Sequence, residues 1–142
     1  MKPDAALIDQ ALIGTLLDDT TLQGMLPDGV YRGVAAQNAT RFVVVDVIES
    51  VDTSVFGGRA IVEKLYRVKA VTSSESGASA DDAAARIDGL LEDQPLTIAG
   101  FAWMDTVREG TIEAVETDDK NVAIRWQHRG GMYRVRASIN GM

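Results

Sequence analysis

The chain has 142 residues, 46% of them hydrophobic, and its 14 basic and 21 acidic residues give a formal charge of −7. A chain of this length can bury about 68–70% of its unfolded surface, so we expect a single domain over residues 1–142. The sequence has no cysteine and one histidine, which excludes disulfides, thiolate chemistry and clusters of imidazole ligands. We therefore expect no metal and no cofactor, and the overall acidity argues against general binding to nucleic acid.

The N-terminus lacks the long apolar region and the cleavage site of a signal peptide. No segment approaches the roughly 18 apolar residues that a membrane span requires. The sequence therefore predicts a soluble protein of a reducing compartment, without a membrane partner.

The first elements are predicted to be helical. Apolar residues recur with helical spacing after Pro3, and this helix is expected to end near Asp18 and Asp19. A shorter helical turn follows and leads to a short edge strand that begins at Val30. Residues 32–41 show no periodicity and are predicted to form a surface loop.

Two strands joined by a projecting arm are predicted next. Phe42 to Glu49 is almost continuously apolar and β-branched, as in a central strand that is covered on both faces. Gly58 to Thr72 alternates between apolar and polar residues, as in a strand with one wet face. Between them, Ser50 to Gly57 is predicted to be a loop, mobile in the isolated subunit, with Val55 and Phe56 near its tip.

The second half predicts one more helix and several strands. Ser79 is the expected N-cap of a helix that Pro95 stops. Short strands are predicted at residues 96–98, 103–107, 111–116, 122–128 and 132–139, with Gly130 and Gly131 at the tip of the closing hairpin. The expected fold is α+β: a mixed, mainly antiparallel sheet with two helices packed on one face and a protruding hairpin loop.

No residues form a recognisable catalytic constellation. The acidic doublets at 18–19, 81–82 and 118–119 fall at predicted helix ends and turns, where acids are favoured by capping and turn geometry. His128 has no nucleophile or carboxylate at a recognisable spacing. The glycine pairs do not follow a strand and open a helix as phosphate-binding loops do. We therefore expect a protein that is not an enzyme.

The charge distribution is uneven along the chain. Residues 1–40 carry two basic and five acidic residues, and residues 73–94 carry one and six. Residues 122–142 instead contain four arginines and no acid: Arg125, Arg129, Arg134 and Arg136. If two closing strands pair across the glycine tip, alternation places Arg125, Arg134 and Arg136 on the side opposite Trp126. The sequence thus predicts a small basic face on an acidic protein.

These arginines require acidic partners, because like charges on adjacent strands repel each other. Under one interpretation, Glu113 and Glu116 of the same subunit are those partners. Under the other, the basic face meets acids of a neighbouring subunit, namely Asp88, Glu92 or Asp93. The second interpretation predicts a subunit interface that salt weakens.

Six segments resemble a known family: the opening helix, Gly29 to Tyr31, Phe42 to Val51, Tyr66 to Val71, Ala83 to Leu91 before Pro95, and the ending His128 to Val135. In this order, over residues 5–139, they resemble the tail completion, or tail terminator, proteins of long-tailed bacteriophages and gene transfer agents. The family's pattern contains no catalytic residues to carry over.

The resemblance implies a structural virion protein at the junction of tail and neck, assembled in the cytoplasm of the bacterial host. It implies a ring, usually of six copies, that caps the tail tube, contacts the tail tube protein and the neck protein, and lets DNA pass without specific binding. Two alternatives stay open. One is another neck protein, such as a head-closure subunit, and the other is a small cytosolic enzyme or ligand-binding domain.

Overall fold

The structure, a computed structural model, describes residues 3–55, 58–74 and 76–140, and for Val55 it describes the backbone alone. The fold is α+β, as the sequence predicts. In these residues the helices are α1 (Ala6–Leu17), α2 (Thr20–Met25) and α3 (Ala78–Leu91). The strands are β1 (Val30–Arg32), β2 (Arg41–Val55), β3 (Gly58–Ser73), β4 (Phe101–Thr117) and β5 (Arg125–Ile139).

The strands form one mixed sheet in the order β1-β2-β3-β5-β4. Neighbouring strands are antiparallel except β1 and β2, which are parallel. The central strand is therefore β3, and β2 is the second strand from one edge. The prediction that β2 is covered on both faces holds for its first half, where Val43 and Val45 face the main core. Phe42 and Val44 belong to a second apolar cluster on the other face.

The helices cover one face of the sheet and bury its main core. Residues with helical spacing supply the helix side of this core: Ile8, Leu12 and Leu16 from α1, and Ala83, Ile87 and Leu91 from α3. The sheet side includes Val62, Tyr66 and Val68 from β3 and Tyr133 and Val135 from β5. No helix in the described part of the chain is long and apolar enough to cross a membrane.

The predicted closing hairpin at Gly130 and Gly131 is wrong, because β5 runs unbroken through both glycines. Neighbouring strands pass close to both glycines, β3 beside Gly130 and β4 beside Gly131. A Cβ added at Gly130 would lie 2.6 Å from the Cα of Lys69 and would also collide with the carbonyl oxygen of Val68. Likewise, the two strands predicted at 103–107 and 111–116 form one strand, β4, with bulges after Trp103 and Arg108.

Three smaller predictions also need correction. The described part of the predicted loop Ser50 to Gly57 is strand, because β2 continues to Val55 and its backbone groups pair with β3. Residues 96–98 form no strand, although two of their side chains are buried. Helix α3 begins at Ala78, before Ser79, and its N-cap residue Gly77 supplies no side-chain cap. Phe56 lies outside the described residues.

Candidate functional site

The face of the sheet opposite the helices, which we call the open face, carries most of the charged strand residues. Side chains alternate along a strand, so this face receives the odd-numbered residues of β3 and the even-numbered residues of β5. Arg67 and Lys69 come from β3, and His128, Arg134 and Arg136 come from β5. No helix of the described residues covers these side chains, and all five are partly exposed.

The four predicted arginines do not share one face. Arg134 and Arg136 lie on the open face, whereas Arg125 and Arg129 have the opposite parity on the same continuous strand and lie on the helix side. Nine residues of strand separate Arg125 from Arg134, which corresponds to roughly 30 Å. The prediction that Arg125 joins the other two is therefore wrong, because it assumed a hairpin.

Arg134 is surrounded by acids of its own subunit. Its Nε donates to Glu109 Oε2 at 2.7 Å and its Nη1 donates to Glu49 Oε1 at 2.9 Å, while Glu63 lies 3.6 Å away. The hydrogen bond from Arg134 lowers the pKa of Glu109. Each acid comes from a different strand, so only the assembled sheet brings them together.

Arg136 pairs with Asp105 on β4, its Nε lying 2.9 Å from Oδ1. The hydrogen bond from Arg136 lowers the pKa of Asp105. Arg134 and Arg136 therefore do pair with acids of their own subunit, as the first interpretation predicts. The acids are not the predicted Glu113 and Glu116. A role for these two arginines between subunits stays a prediction.

The two remaining arginines, Arg125 and Arg129, also contact groups of their own subunit. Arg129 Nε lies 2.9 Å from Asp81 Oδ1 at the start of α3, and 3.7 Å from Glu113. Its side chain is 12% exposed, so it contributes to the packing of α3 on the sheet. Arg125 donates to the carbonyl oxygen of Val122 in its own turn.

The three acids predicted for the interface, Asp88, Glu92 and Asp93, lie at the C-terminal end of α3. They differ in whether they have partners within the subunit. Asp88 is occupied: it accepts a hydrogen bond from Tyr133 at 2.8 Å and pairs with Arg108 at 2.9 Å. Within residues 3–55, 58–74 and 76–140, neither Glu92 nor Asp93 forms an ion pair. The negative charge of Asp88 raises the pKa of Glu92. Two acids of the predicted set thus form no ion pair in the described residues, and the charge of Arg108 acts on Glu92 only at longer range.

Lys69 is a cation that likewise forms no ion pair in the described residues, and it was not among the residues predicted from the sequence. It is half-buried at the centre of the open face, and among the described residues no carboxylate or carbonyl forms an ion pair or hydrogen bond with its ammonium group. Burial, followed by the charge of Arg67, lowers its pKa. In the sequence, Lys69 is marked only by its position on the polar face of a predicted strand. Many solvent-exposed lysines have the same position, so the sequence does not distinguish it.

Two concavities flank His128. One, of about 400 Å³, is also lined by Arg67, Lys69 and Glu116 and by the apolar residues Ile112, Ala114 and Val115. The other, of about 260 Å³, is lined by Phe42, Trp126 and other residues of the second apolar cluster. His128 Nε2 lies 3.6 Å from Glu116, and its Nδ1 is buried without a hydrogen-bond partner in the described chain. Burial lowers the pKa of His128.

The described residues do not assemble a group of three His, Asp or Glu side chains that could hold a metal ion. The acidic doublets have structural roles. Asp19 caps α2 by accepting from the Leu22 N–H at 2.8 Å, and Asp118 accepts two backbone N–H groups of its turn. The open face and the end of α3 therefore present charge, and we interpret them as surfaces for contact.

Comparison with known proteins agrees with this interpretation. The sequence model of the family described as tail completion protein gp17 matches residues 10–138. No curated protein matches the chain.

Two solved structures share the fold. A chain in the structure described as "Virion of native gene transfer agent (GTA) particle" superposes with a TM-score of 0.72 and 18% identity, covering 95% of this chain and 99% of that one. A second solved chain superposes with a TM-score of 0.60 and 15% identity, covering 98% and 97%. Because the family match runs from α1 into the last residues of β5, the chain belongs to the tail completion protein gp17 family and is a structural protein of a phage-like tail.

Proposed function

We propose that six copies of this chain form a ring that caps the tail tube and joins the finished tail to the neck of a phage or phage-like particle. The observation that carries the proposal is the family match over residues 10–138, which spans nearly the whole domain rather than one motif. The tail tube protein and a neck protein are then the direct partners. Assembly takes place in the cytoplasm of the bacterial host, and residues 1–142 act as one domain.

The asymmetry of the subunit supports a ring. Helices cover one face of the sheet and charged side chains cover the other, and the two sheet edges are unlike, with three residues in β1 and 17 in β4. Contacts between unlike surfaces of successive copies generate closed rings when the rotation between copies permits closure.

The charge supports the passage of DNA through such a ring. A formal charge of −7 per subunit repels phosphates, so DNA can cross the ring without adhering to its wall. The alternation of acids and arginines on the open face gives no continuous basic surface for a DNA backbone.

The end of the β2–β3 hairpin is proposed as a contact with the neighbouring tail or neck protein. Val55 is the last residue of β2, and the sequence places a second apolar residue, Phe56, directly after it. The variant Phe56→Ser is expected to leave the melting temperature nearly unchanged while lowering the yield of joined particles.

The test of the proposed function is an order-of-addition experiment with particles from which the gene for this chain has been deleted. Tails and heads are isolated separately, each is incubated with purified protein, and unbound protein is removed before mixing. We expect joined particles, counted by electron microscopy, when the tails received the protein. Joining that requires loading of the heads would contradict a tail cap and favour the head-closure alternative.

A further inference from the structure

The strongest unexplained feature of the open face is the half-buried ammonium group of Lys69, which forms no ion pair in the described residues. The groups that face it are two cationic or titratable neighbours, Arg67 and His128, and two acids that are already engaged. Asp46 pairs with Arg67 at 2.8 Å, and Glu116 lies 3.6 Å from His128. Asp46 and Glu116 equal the cations Arg67 and Lys69 in number, but neither acid forms an ion pair with Lys69. A carboxylate from outside would form the ion pair that this ammonium group lacks.

The concavity beside Lys69 has the shape and lining for a small protruding segment. Its volume is about 400 Å³, and it is lined by the cations Arg67 and Lys69, by His128 and Glu116, and by the apolar residues Ile112, Ala114 and Val115. We call this concavity the Lys69 groove. The cations and the apolar residues of this lining would match a segment that carries a carboxylate beside an apolar side chain.

The turn after α3 has this chemistry. Glu92 and Asp93 are adjacent acids that form no ion pair in the described residues, although the charge of Arg108 acts on Glu92 from a greater distance. The exposed residues Gln94 and Pro95 follow them. Asp93 adopts the left-handed conformation, with φ 56°, which produces a tight turn at the surface. The negative end of a helix dipole disfavours acids at this position, so a cation from another molecule would stabilise them.

Most other acids of the chain are already engaged. Asp81 pairs with Arg129, Asp19 pairs with Arg86, and Asp28 accepts two backbone N–H groups. Among the acids that remain, Glu92 and Asp93 are adjacent and have an apolar residue close behind them.

We propose that the Lys69 groove of one copy receives the turn Glu92 to Pro95 of the next copy, with the two carboxylates beside the ammonium group of Lys69. The helix end and the groove belong to opposite faces of the sheet, so they cannot meet within one subunit. Repetition of this head-to-tail contact links every copy to the next, as a ring requires. The inference rests on the proposed function, because it names the junction between copies of that ring.

Cysteine cross-linking tests this contact, since the natural sequence has no cysteine. The double variant Lys69→Cys with Asp93→Cys, oxidised as the purified full-length chain, is expected to give covalent products larger than dimers. Each single variant can give dimers at most. The matched control is Lys69→Cys with Asp18→Cys, because Asp18 is another exposed acid without an ion pair in the described residues.

A charge swap supplies the second measurement. Lys69→Glu is expected to abolish the assembly of copies, measured by light scattering, and Glu92→Lys with Asp93→Lys in the same chain is expected to restore it. Circular dichroism verifies that each variant is folded. Rings that form without cross-links between positions 69 and 93 would overturn the inferred junction and leave the ring intact. The absence of both rings and cross-links would contradict the junction and the ring together.

Discussion

Asp9 of α1 and Lys64 of β3 form an ion pair inside the protein, with 2.7 Å between Oδ1 and Nζ and side-chain exposures of 1% and 8%. The hydroxyl of Tyr66 donates to the same carboxylate, and Arg32 of β1 lies 2.7 Å from its second oxygen. One carboxylate thus joins the first helix, the edge strand and the central strand. The spacing of these residues in the sequence does not predict that they are in contact.

Replacement of Asp9 by Asn is expected to destabilise the subunit by about 3–5 kcal/mol, because it leaves Lys64 buried without a counter-charge. Chemical denaturation measures the loss. Asp18→Asn, a change of an exposed acid just after the same helix, is the control and should shift the free energy of unfolding by less than about 0.5 kcal/mol. Equal effects of the two variants would show that the buried pair is not important for stability.

The close approach of β3 and β5 makes Gly130 irreplaceable. Gly130→Ala is expected to cost about 3 kcal/mol or more, because the new methyl group collides with backbone atoms that cannot rotate away. Gly89→Ala is the matched control: it lies in α3 with no atom within 4 Å of the added carbon. That variant should gain about 1 kcal/mol from helix propensity. Thermal melting of both variants checks the prediction, and a stable Gly130→Ala would contradict the described strand pairing.

The pair Asp19 and Arg86 predicts a pH-dependent stability. Its hydrogen bond lowers the pKa of Asp19 below the ordinary value of 3.8, so the stabilisation is present above that value and is lost as the pH falls through the lower folded-state pKa. Arg86→Gln should therefore be destabilising at pH 7 and much less so near pH 2. Urea denaturation at both values measures the two differences. A difference that is independent of pH would contradict this role of the pair.

The open-face network predicts coupling between Arg134 and Glu109, which form two parallel hydrogen bonds. A double-mutant cycle of Arg134→Gln and Glu109→Gln should give a coupling of about 1 kcal/mol or less, since the pair is partly exposed. The coupling should fall when salt is added. A parallel cycle with Arg134→Gln and Glu116→Gln is the control and should give none. Coupling in the control alone would contradict the described network.

The sequence by itself determined the fold class, the helical faces and the positions of most strands. Periodicity is a local property, and the residues that follow it, such as Ile8, Leu12 and Leu16, are those that the core buries. The acidic doublets were likewise interpretable, because capping at Asp19 and turn formation at Asp118 involve only near neighbours.

Only the tertiary structure decided which charges meet. The glycine pair in β5 looks like a turn in the sequence, but it is a close approach between strands, and the continuous strand divides the arginines between two faces. The acids around Arg134 are 25 to 85 residues away along the chain, so strand order and register alone bring them together. The same long-range pairing leaves Lys69 without an ion pair in the described residues, because its nearest acids, Asp46 and Glu116, are paired with Arg67 and His128. Such a cation can be recognised only when its spatial neighbours are known.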